Sequence, residues 1–409
     1  MYLTNKFCAL FFMLAAFSVN AIEVSPEIYQ SYQRIQKAME RSPEEASAAV
    51  EQFYTFSKTQ PETVKLLAAN LYLQNCMVLT NYSCALQRIQ EMVEYKLTPE
   101  QALNFNLLGA QLSYQQQLYP LTTSFLSRWF PVANSQLNKI KQTNPAQYKD
   151  KKTELANNYL FSAHAYLQQD KTELAIRDVL QALEIEQRKE NDYRLLLSLY
   201  EKTQQKAKAR GLLITMTKLF PANGDYWERL GYNYLENQEP KKALNILAAA
   251  FNSDILPDRS WPLLAQLYIS QSVPHKAVTV LERAKEENRI KDTKAYYQIL
   301  TNANLVGRDH SAVLKTLNTI EQIQQLTPAQ LAQKAQIAFR LGKWQVAQKA
   351  LTSLVTSEPT NAQWRFMLAI CCYELKEYTL SNEHLRQVKA PEYDAIVQQW
   401  LKQIEYLNS

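Results

Sequence analysis

Apolar residues recur along this chain with a helical period. In residues 226–251, "YWERLGYNYLENQEPKKALNILAAAF", Trp227, Leu230, Gly231 and Tyr234 stand three, one and three residues apart. After the polar break "NQEPKK" come Ala243, Leu247 and Ala250, at steps of four and three. Each half is one face of an amphipathic helix, and the break is short and turn-like. The stretch therefore predicts two antiparallel helices.

The pattern repeats. Ala175, Ala209, Ala243 and Ala277 follow one another at intervals of 34 residues. Tyr159, Tyr193, Trp227 and Trp261 lie 16 residues before them, and Tyr166, Tyr200, Tyr234 and Tyr268 lie nine before them. Val179, Leu213, Leu247 and Leu281 lie four after, and Ala182, Met216, Ala250 and Ala284 seven after. Small residues belong where two helix axes approach closely, and large aromatics fill the seam to the next pair. No pair can bury its apolar face alone, so the neighbours supply the core. The excess of 24 tyrosines over 14 phenylalanines follows, because a phenol with its hydroxyl at the rim suits a half-open seam.

Beyond Ala277 the register slackens and returns at Ala347, with Ala335, Leu351 and Leu354, and again at Ser381. Ala277 and Ala347 are 70 residues apart, two units plus two, so a degenerate unit near 293–320 carries an insertion. Upstream the register is weaker. "NFNLLGAQLSYQQQLYPL" places Leu108–Gly109 like Leu230–Gly231, and two more divergent hairpins precede it. Residues 134–154, polar and lysine-rich, form a candidate joint or a long outer helix between divergent hairpins over 22–133 and the array over 155–391. Residues 392–409, "EYDAIVQQWLKQIEYLNS", read as a capping helix.

Composition supports helices. Only six glycines occur in 409 residues, too few for many tight hairpins or phosphate-cradling loops. The formal charge of +6 is scattered, with no block of one sign, which excludes a nucleic-acid footprint. "MYLTNK", the 11-residue apolar run Phe7–Phe17 and the small residues Val19 and Ala21 predict a secretory signal peptide cleaved after Ala21. A run of that length is about half of what spans a bilayer, so an uncleaved anchor is the weaker reading. The expected product is a soluble periplasmic chain of 388 residues.

Four cysteines remain. In an oxidising compartment Cys76 and Cys84 either close a small loop across a helix–helix turn or stay as two buried thiols. Cys371 and Cys372 are neighbours in an expected helix, which cannot bring them into disulfide geometry, so they read as packed thiols. The sequence holds no nucleotide-loop, zinc-protease or nucleophile-elbow motif, and its four histidines, His164, His275, His310 and His384, fall in separate repeats. The repeats run to about residue 389 and leave too little chain for a catalytic domain. No catalytic residue, cofactor or metal is expected.

The 34-residue unit "W-x2-LG-x2-Y…A-x3-L-x2-A" resembles the tetratricopeptide repeat. That resemblance implies an all-α fold, a right-handed α-solenoid of helical hairpins, with the first helix of each pair lining an inner wall. In the family's register the wall takes Leu160 and His164, then Arg194 and Glu201, then Glu228, Tyr232 and Leu235. It continues through Gln266 and Ile269 to Gln336, Phe339 and Arg340, and ends with Phe366, Ile370 and Tyr373. Such a wall suits an extended peptide or a partner helix. "LFP" before the aromatic pair, "LAQLY" and "P-x-KA-x-x-VLE" further resemble periplasmic tetratricopeptide proteins encoded beside TonB, ExbB and ExbD genes in gammaproteobacteria. The resemblance implies a protein partner in the cell envelope, of the TonB/ExbB/ExbD type, and an accessory role in energy-driven iron–siderophore uptake. A scaffold for outer-membrane or envelope-polysaccharide assembly is the alternative, and a cell-wall hydrolase a more distant one.

Overall fold

A computed structural model describes residues 24–291 and 293–408, so the expected signal peptide lies outside the described residues. All regular structure among them is helical. The chain divides after Ala209 into two compact units.

In the first unit α1 (Pro26–Arg41) pairs with α2 (Pro43–Ser57), and α3 (Glu62–Val78) with α4 (Tyr82–Met92). Then α5 (Pro99–Gln115) pairs with α6 (Tyr119–Ile140), and α7 (Pro145–Leu167) with α8 (Thr172–Ile185). Helix α9 (Glu190–Lys202) follows, and the division falls within α10 (Lys206–Leu219). The second unit pairs α11 (Gly224–Glu236) with α12 (Pro240–Asn252), and α13 (Trp261–Ser270) with α14 (Pro274–Glu286). Next come α15 (Lys294–Val306) with α16 (His310–Ile323), α17 (Pro328–Arg340) with α18 (Trp344–Ser357), and α19 (Ala362–Glu374) with α20 (Tyr378–Arg386). Helix α21 (Asp394–Asn408) packs on α20. In the second unit one apolar core runs unbroken from Ala243 to Cys372.

Many of the helices start on side-chain caps. "TPEQ" and "TPAQ" build the same capping box twice: Thr98 and Thr327 accept from the backbone of Gln101 and Gln330, whose side chains accept from the threonine N–H groups. The pairs close through one recurrent turn. Thr80, Gln117, Asp170, Gln204, Gln238, Ser272, Arg308, Gly342 and Lys376 all adopt φ between 54° and 68°. Each ends a first helix. The next residue's N–H donates to the carbonyl five residues back, as Glu239 does to Tyr234 at 2.9 Å and Lys376's successor Glu377 to Cys372 at 2.8 Å. The turn residue's own N–H donates three back, as Gln238 does to Leu235 at 2.9 Å. This is the Schellman closure, and it satisfies two orphan carbonyls at each helix end.

The turn sets the register for everything else. Five residues after it stands a buried small or compact residue: Ala85, Thr122, Ala175, Ala209, Ala243, Ala277, Val313, Ala347 or Ser381. Seven before it, Ala110, Ala163, Gly231, Ala265, Ala335 and Ala369 meet that residue's helix at closest approach. A Cβ on Gly231 would lie 2.6 Å from Leu247. Counted this way, the place of Gly231 in the α5–α6 pair belongs to Ala110, one residue from the expected Gly109. Gly109 faces the Phe125 ring instead, where a Cβ would come within 2.8 Å. The degenerate unit is a complete pair, with Val313 in the alanine's place and Ser272 and Arg308 36 residues apart.

Across the turn, residues four before and four after it also meet. In three pairs they are tyrosine and lysine, with Lys208, Lys242 and Lys276 5.7–5.8 Å from the ring centroids of Tyr200, Tyr234 and Tyr268. In the α3–α4 pair the same two places hold Cys76 and Cys84, which are disulfide-bonded, Cα to Cα 5.7 Å. Cys371 and Cys372 are free and buried.

Residues 134–154 form no joint. They are the end of α6, a turn at 141–144 and the start of α7. An apolar seam carries α6 onto α7: Trp129 and Ala133 are buried with Leu155, and Phe130 stacks on Tyr159 at 4.0 Å. The lysines that dominate this stretch ride on the outside of two long helices.

Both terminal helices turn polar where the interior helices are apolar. In α19, Trp364, Leu368 and Cys371 face back into the core, while Ala369 and Cys372 are also buried. In α21 the back-facing places hold Val397, Leu401 and Ile404, but the counterparts of Ala369 and Cys372 are the exposed Lys402 and Glu405. In α1 the stripe Ile28, Tyr32, Ile35 and Met39 packs inward and leaves Gln30, Arg34 and Lys37 exposed.

Gln238→Gly removes a strained left-handed side chain and is expected to raise stability by up to about 1 kcal/mol. Gly231→Val forces α11 from α12 and is expected to cost about 2 kcal/mol. Urea unfolding of the two variants, followed by circular dichroism, checks both signs. In the protein isolated without reductant, alkylation and mass spectrometry should find Cys76 and Cys84 blocked. Cys371 and Cys372 should be free but label only on unfolding, because burial pushes the Cys371 thiol up to about 12.

Candidate functional site: the inner face of the first helices

The first helix of each pair presents one face that its own partner and the preceding pair leave uncovered. The nine turns locate it, since residues six before the turn point there: Gln74, Gln111, His164, Ser198, Tyr232, Gln266, Asn302, Gln336 and Ile370.

In the first unit His164, Arg194 and Glu201 are exposed on that face, and Leu160 is not. Leu160 is buried within the core of its pair and cannot line a groove. In the second unit Tyr232 is 45% exposed, the most open of the expected aromatic and apolar wall residues, with Leu235 half-buried beside it. Glu228, expected on the wall, is buried. Arg259 Nε donates to both carboxylate oxygens at 2.9 and 3.0 Å, and Ser260 Oγ also bonds it. A one-turn 3-10 segment, Asp258–Ser260, starts just before α13 and sets those two donors over the carboxylate. Glu228 is a clasp between consecutive pairs.

Gln266 and Ile269 do line an open depression. With Ser270 of α13 they face Ala295, Gln298, Ile299 and Asn302 of α15. The α15 residues were missed in the sequence because Val313 replaces the marker alanine; the left-handed turn at Arg308 would have aligned Asn302 with Gln266. Further on, Phe339 is half-buried, edge-on to Trp344 at 5.4 Å, and Arg340 is exposed. Phe366, Ile370 and Tyr373 are not free. The 3-10 turn Pro391–Tyr393 and α21 cover Phe366 and Tyr373, with Tyr393 5.1 Å from Phe366 and Trp400 4.8 Å from Tyr373, and Ile370 is buried. The open wall of the second unit therefore runs over α11, α13, α15 and α17.

Among the described residues no group of three or more His, Cys, Asp or Glu is placed to hold a metal ion. No described helix is long and apolar enough to cross a membrane. Arg283 and Arg289 share Asp254 at 3.1 and 2.8 Å, and both guanidinium groups lie over the Trp261 ring. A second charged residue of a first helix is also buried. Lys334 is buried in α17 and bonds Glu321 at 2.8 Å. It occupies a place that Leu196, Leu230, Leu264 and Leu368 fill elsewhere, eight residues before the turn.

Paired helices closed by one repeated turn, with an exposed face on each first helix, define an all-α fold of helical hairpins. Residues 333–394, which contain α18, α19 and α20, match the family model described as tetratricopeptide repeat. Among solved structures, a tetratricopeptide repeat protein from Parabacteroides merdae is 13% identical over 61% of this chain and 98% of its own, with a TM-score of 0.33. PilF of Pseudomonas aeruginosa is 16% identical over 52% of this chain and 96% of its own, with a TM-score of 0.30. No curated protein sequence matches the chain. At those identities and scores the hairpin class rests on the turn geometry and the family match.

Lys334→Leu should leave stability unchanged or raise it by about 1 kcal/mol, since it exchanges a buried ion pair for the apolar residue the register favours. Glu321→Gln leaves the ammonium buried without its counter-charge and should cost about 2 kcal/mol. Lys334 holds the Glu321 carboxyl below its ordinary pKa. The pair's contribution is therefore complete above the ordinary carboxylate range and is lost as the pH falls through the lowered value. Denaturation midpoints of the wild type and both variants between neutral and acidic pH test the ranking and the sign.

Proposed function

We propose that the chain is a non-enzymatic scaffold of the bacterial periplasm that holds a segment of another protein on the inner face of α11, α13, α15 and α17. The observation that carries this reading is the depression between α13 and α15, where Ile269 and Ile299 form an accessible apolar floor between uncharged polar side chains. Extended segments and single helices are bound on surfaces of this make-up, apolar anchors for affinity and polar neighbours for register. The non-enzymatic part of the reading is supported by how much of the chain the repeats use: helical pairs occupy most of the described residues from Pro26 to Arg386.

Export is supported by the apolar, small-residue-terminated start of the sequence and by the Cys76–Cys84 disulfide, which persists in an oxidising compartment. The particular partner we propose is a component of a TonB-type energy-transducing complex, with the chain acting as its periplasmic accessory. Support for this finer reading is the likeness of "LFP", "LAQLY" and "P-x-KA-x-x-VLE" to periplasmic repeat proteins of such systems.

Tyr232→Glu with Ile269→Glu places two carboxylates on the wall without touching a turn or a core small residue. Tagged wild-type protein is expected to co-purify with TonB, ExbB or ExbD from envelope extracts, and the folded double variant to lose them. Retention of those proteins by the variant removes the wall from the reading. Their absence from the wild-type eluate removes the TonB assignment.

A further inference from the structure

We propose that the projecting junction of α6 and α7 is a peripheral docking site for an anionic phospholipid bilayer, held there by lysines. The junction lies apart from the inner wall, and the site goes beyond the scaffold reading.

The first observation is helix length without a core. Helices α6 and α7 have 22 and 23 residues, while the other described α-helices have 9 to 17. The last buried residue of α6 is Ala133, and the first of α7 is Leu155. Residues 134–140 and 145–154 lie beyond those two, so at the α-helical rise the junction stands about 10–15 Å out from the core. Every residue from Lys141 to Gln147 is exposed, and Leu137, Ile140 and Tyr148 are half-buried. Pairs elsewhere close within 13 and 14 residues, as α17 and α18 do, so the fold does not require the extra turns.

The second observation is what the extra turns carry. Lys139 and Lys141 lie at the end of α6, and Lys149, Lys151 and Lys152 in the early turns of α7. They make no block in the sequence, but the reversal at 141–144 gathers them at one end of two helices. Five lysines stand there with two carboxylates, Asp150 and Glu154, a surplus equal to half of the chain's formal +6. Lys151 pairs with Glu154 at 2.7 Å, and among the described residues no carboxylate is bonded to the other four. Lys139, Lys141 and Lys149 are exposed.

The kind of cation decides for a surface over a fitted ligand. The planar fork of arginine suits bidentate contact with one particular carboxylate or phosphate. The first unit uses it so at Arg188, which holds Glu186 at 2.6 Å and Asp192 at 3.1 Å. Residues 134–154 contain no arginine. Their cations are point charges on flexible stems, which follow mobile phosphate headgroups without a fixed geometry. Tyr148 stands among them, and a tyrosine ring is at home at the headgroup level. Such attraction adds up over several lysines and fades within a Debye length, so docking is reversible and salt-sensitive.

The test is flotation of the chain, purified after export, with vesicles of phosphatidylglycerol and phosphatidylcholine in equal parts and with vesicles of phosphatidylcholine alone. The chain should float with the anionic vesicles and ignore the neutral ones, and its affinity should fall about tenfold or more between roughly 0.05 and 0.5 M salt. Lys139→Gln with Lys141→Gln and Lys149→Gln should weaken binding to the anionic vesicles about tenfold or more. A second variant makes the same change in net charge at exposed lysines elsewhere, Lys241→Gln with Lys389→Gln and Lys402→Gln. It should stay within about twofold of the wild type, with circular dichroism showing both variants folded. Equal losses in the two variants assign the binding to net charge and overturn the site. Absence of flotation, equal binding to neutral vesicles, or retention on immobilised polyglutamate without any on vesicles overturns the bilayer as the occupant.

Discussion

The contact on which this structure depends is the one between a first helix and its second helix at a left-handed turn. Two backbone hydrogen bonds end the first helix and reverse the chain within a few residues. In six of the nine pairs the second helix then lays a small or compact residue, five past the turn, against a small residue seven before it. Ser381 shows how tight the fit is: its hydroxyl donates to the Ala369 carbonyl at 2.8 Å across the pair. A single glycine, Gly342, serves among the nine turn residues; the others accept a left-handed backbone of about 1 kcal/mol cost because the closure fixes it.

Everything on the outer and inner faces follows from that reversal. Because the turn fixes rotation about each first helix, residues six before it all reach the same side. Those four before it meet residues four after it. The second relation is chemically free to vary, and the chain uses it as a tyrosine–lysine contact in regular pairs and a disulfide in the α3–α4 pair. The first relation is free as well: that place holds Gln266, Asn302 and Gln336 on three first helices of the second unit and Tyr232 and Ile370 on two others. Ionic contacts involve both helices of a pair and the loops: Arg259 holds Glu228 of α11, and Arg283 and Arg289 clamp Asp254 over Trp261.

Much of this was legible because the repeat leaves the same residue sizes at the same spacing. Ala175, Ala209, Ala243 and Ala277 located four pairs, and all four are buried. Where the marker changed identity the text became opaque. Val313 and Thr122 do the alanine's work with larger side chains, so the α15–α16 pair and the α5–α6 pair lost their register by eye, and Gly109 was aligned one residue out of place. The lysine-rich stretch around 134–154 misled for a related reason: charge along an outer face is conspicuous, whereas the widely spaced Trp129, Ala133, Leu137 and Leu155 that seam α6 to α7 are not.

The sequence by itself determined the all-helical class, the 34-residue period and the small and aromatic positions, because these are properties of one helix face and its nearest neighbour in the chain. It also marked Cys371 and Cys372 as packed thiols, since adjacent helical positions cannot join. Which wall residues stay open was decided by tertiary structure. Glu228 lies on the expected face but is taken by Arg259, 31 residues on, and Phe366, Ile370 and Tyr373 are covered by a helix that packs back from beyond the last pair. Exposure depends on what else arrives at a surface, and no periodicity within a helix records that.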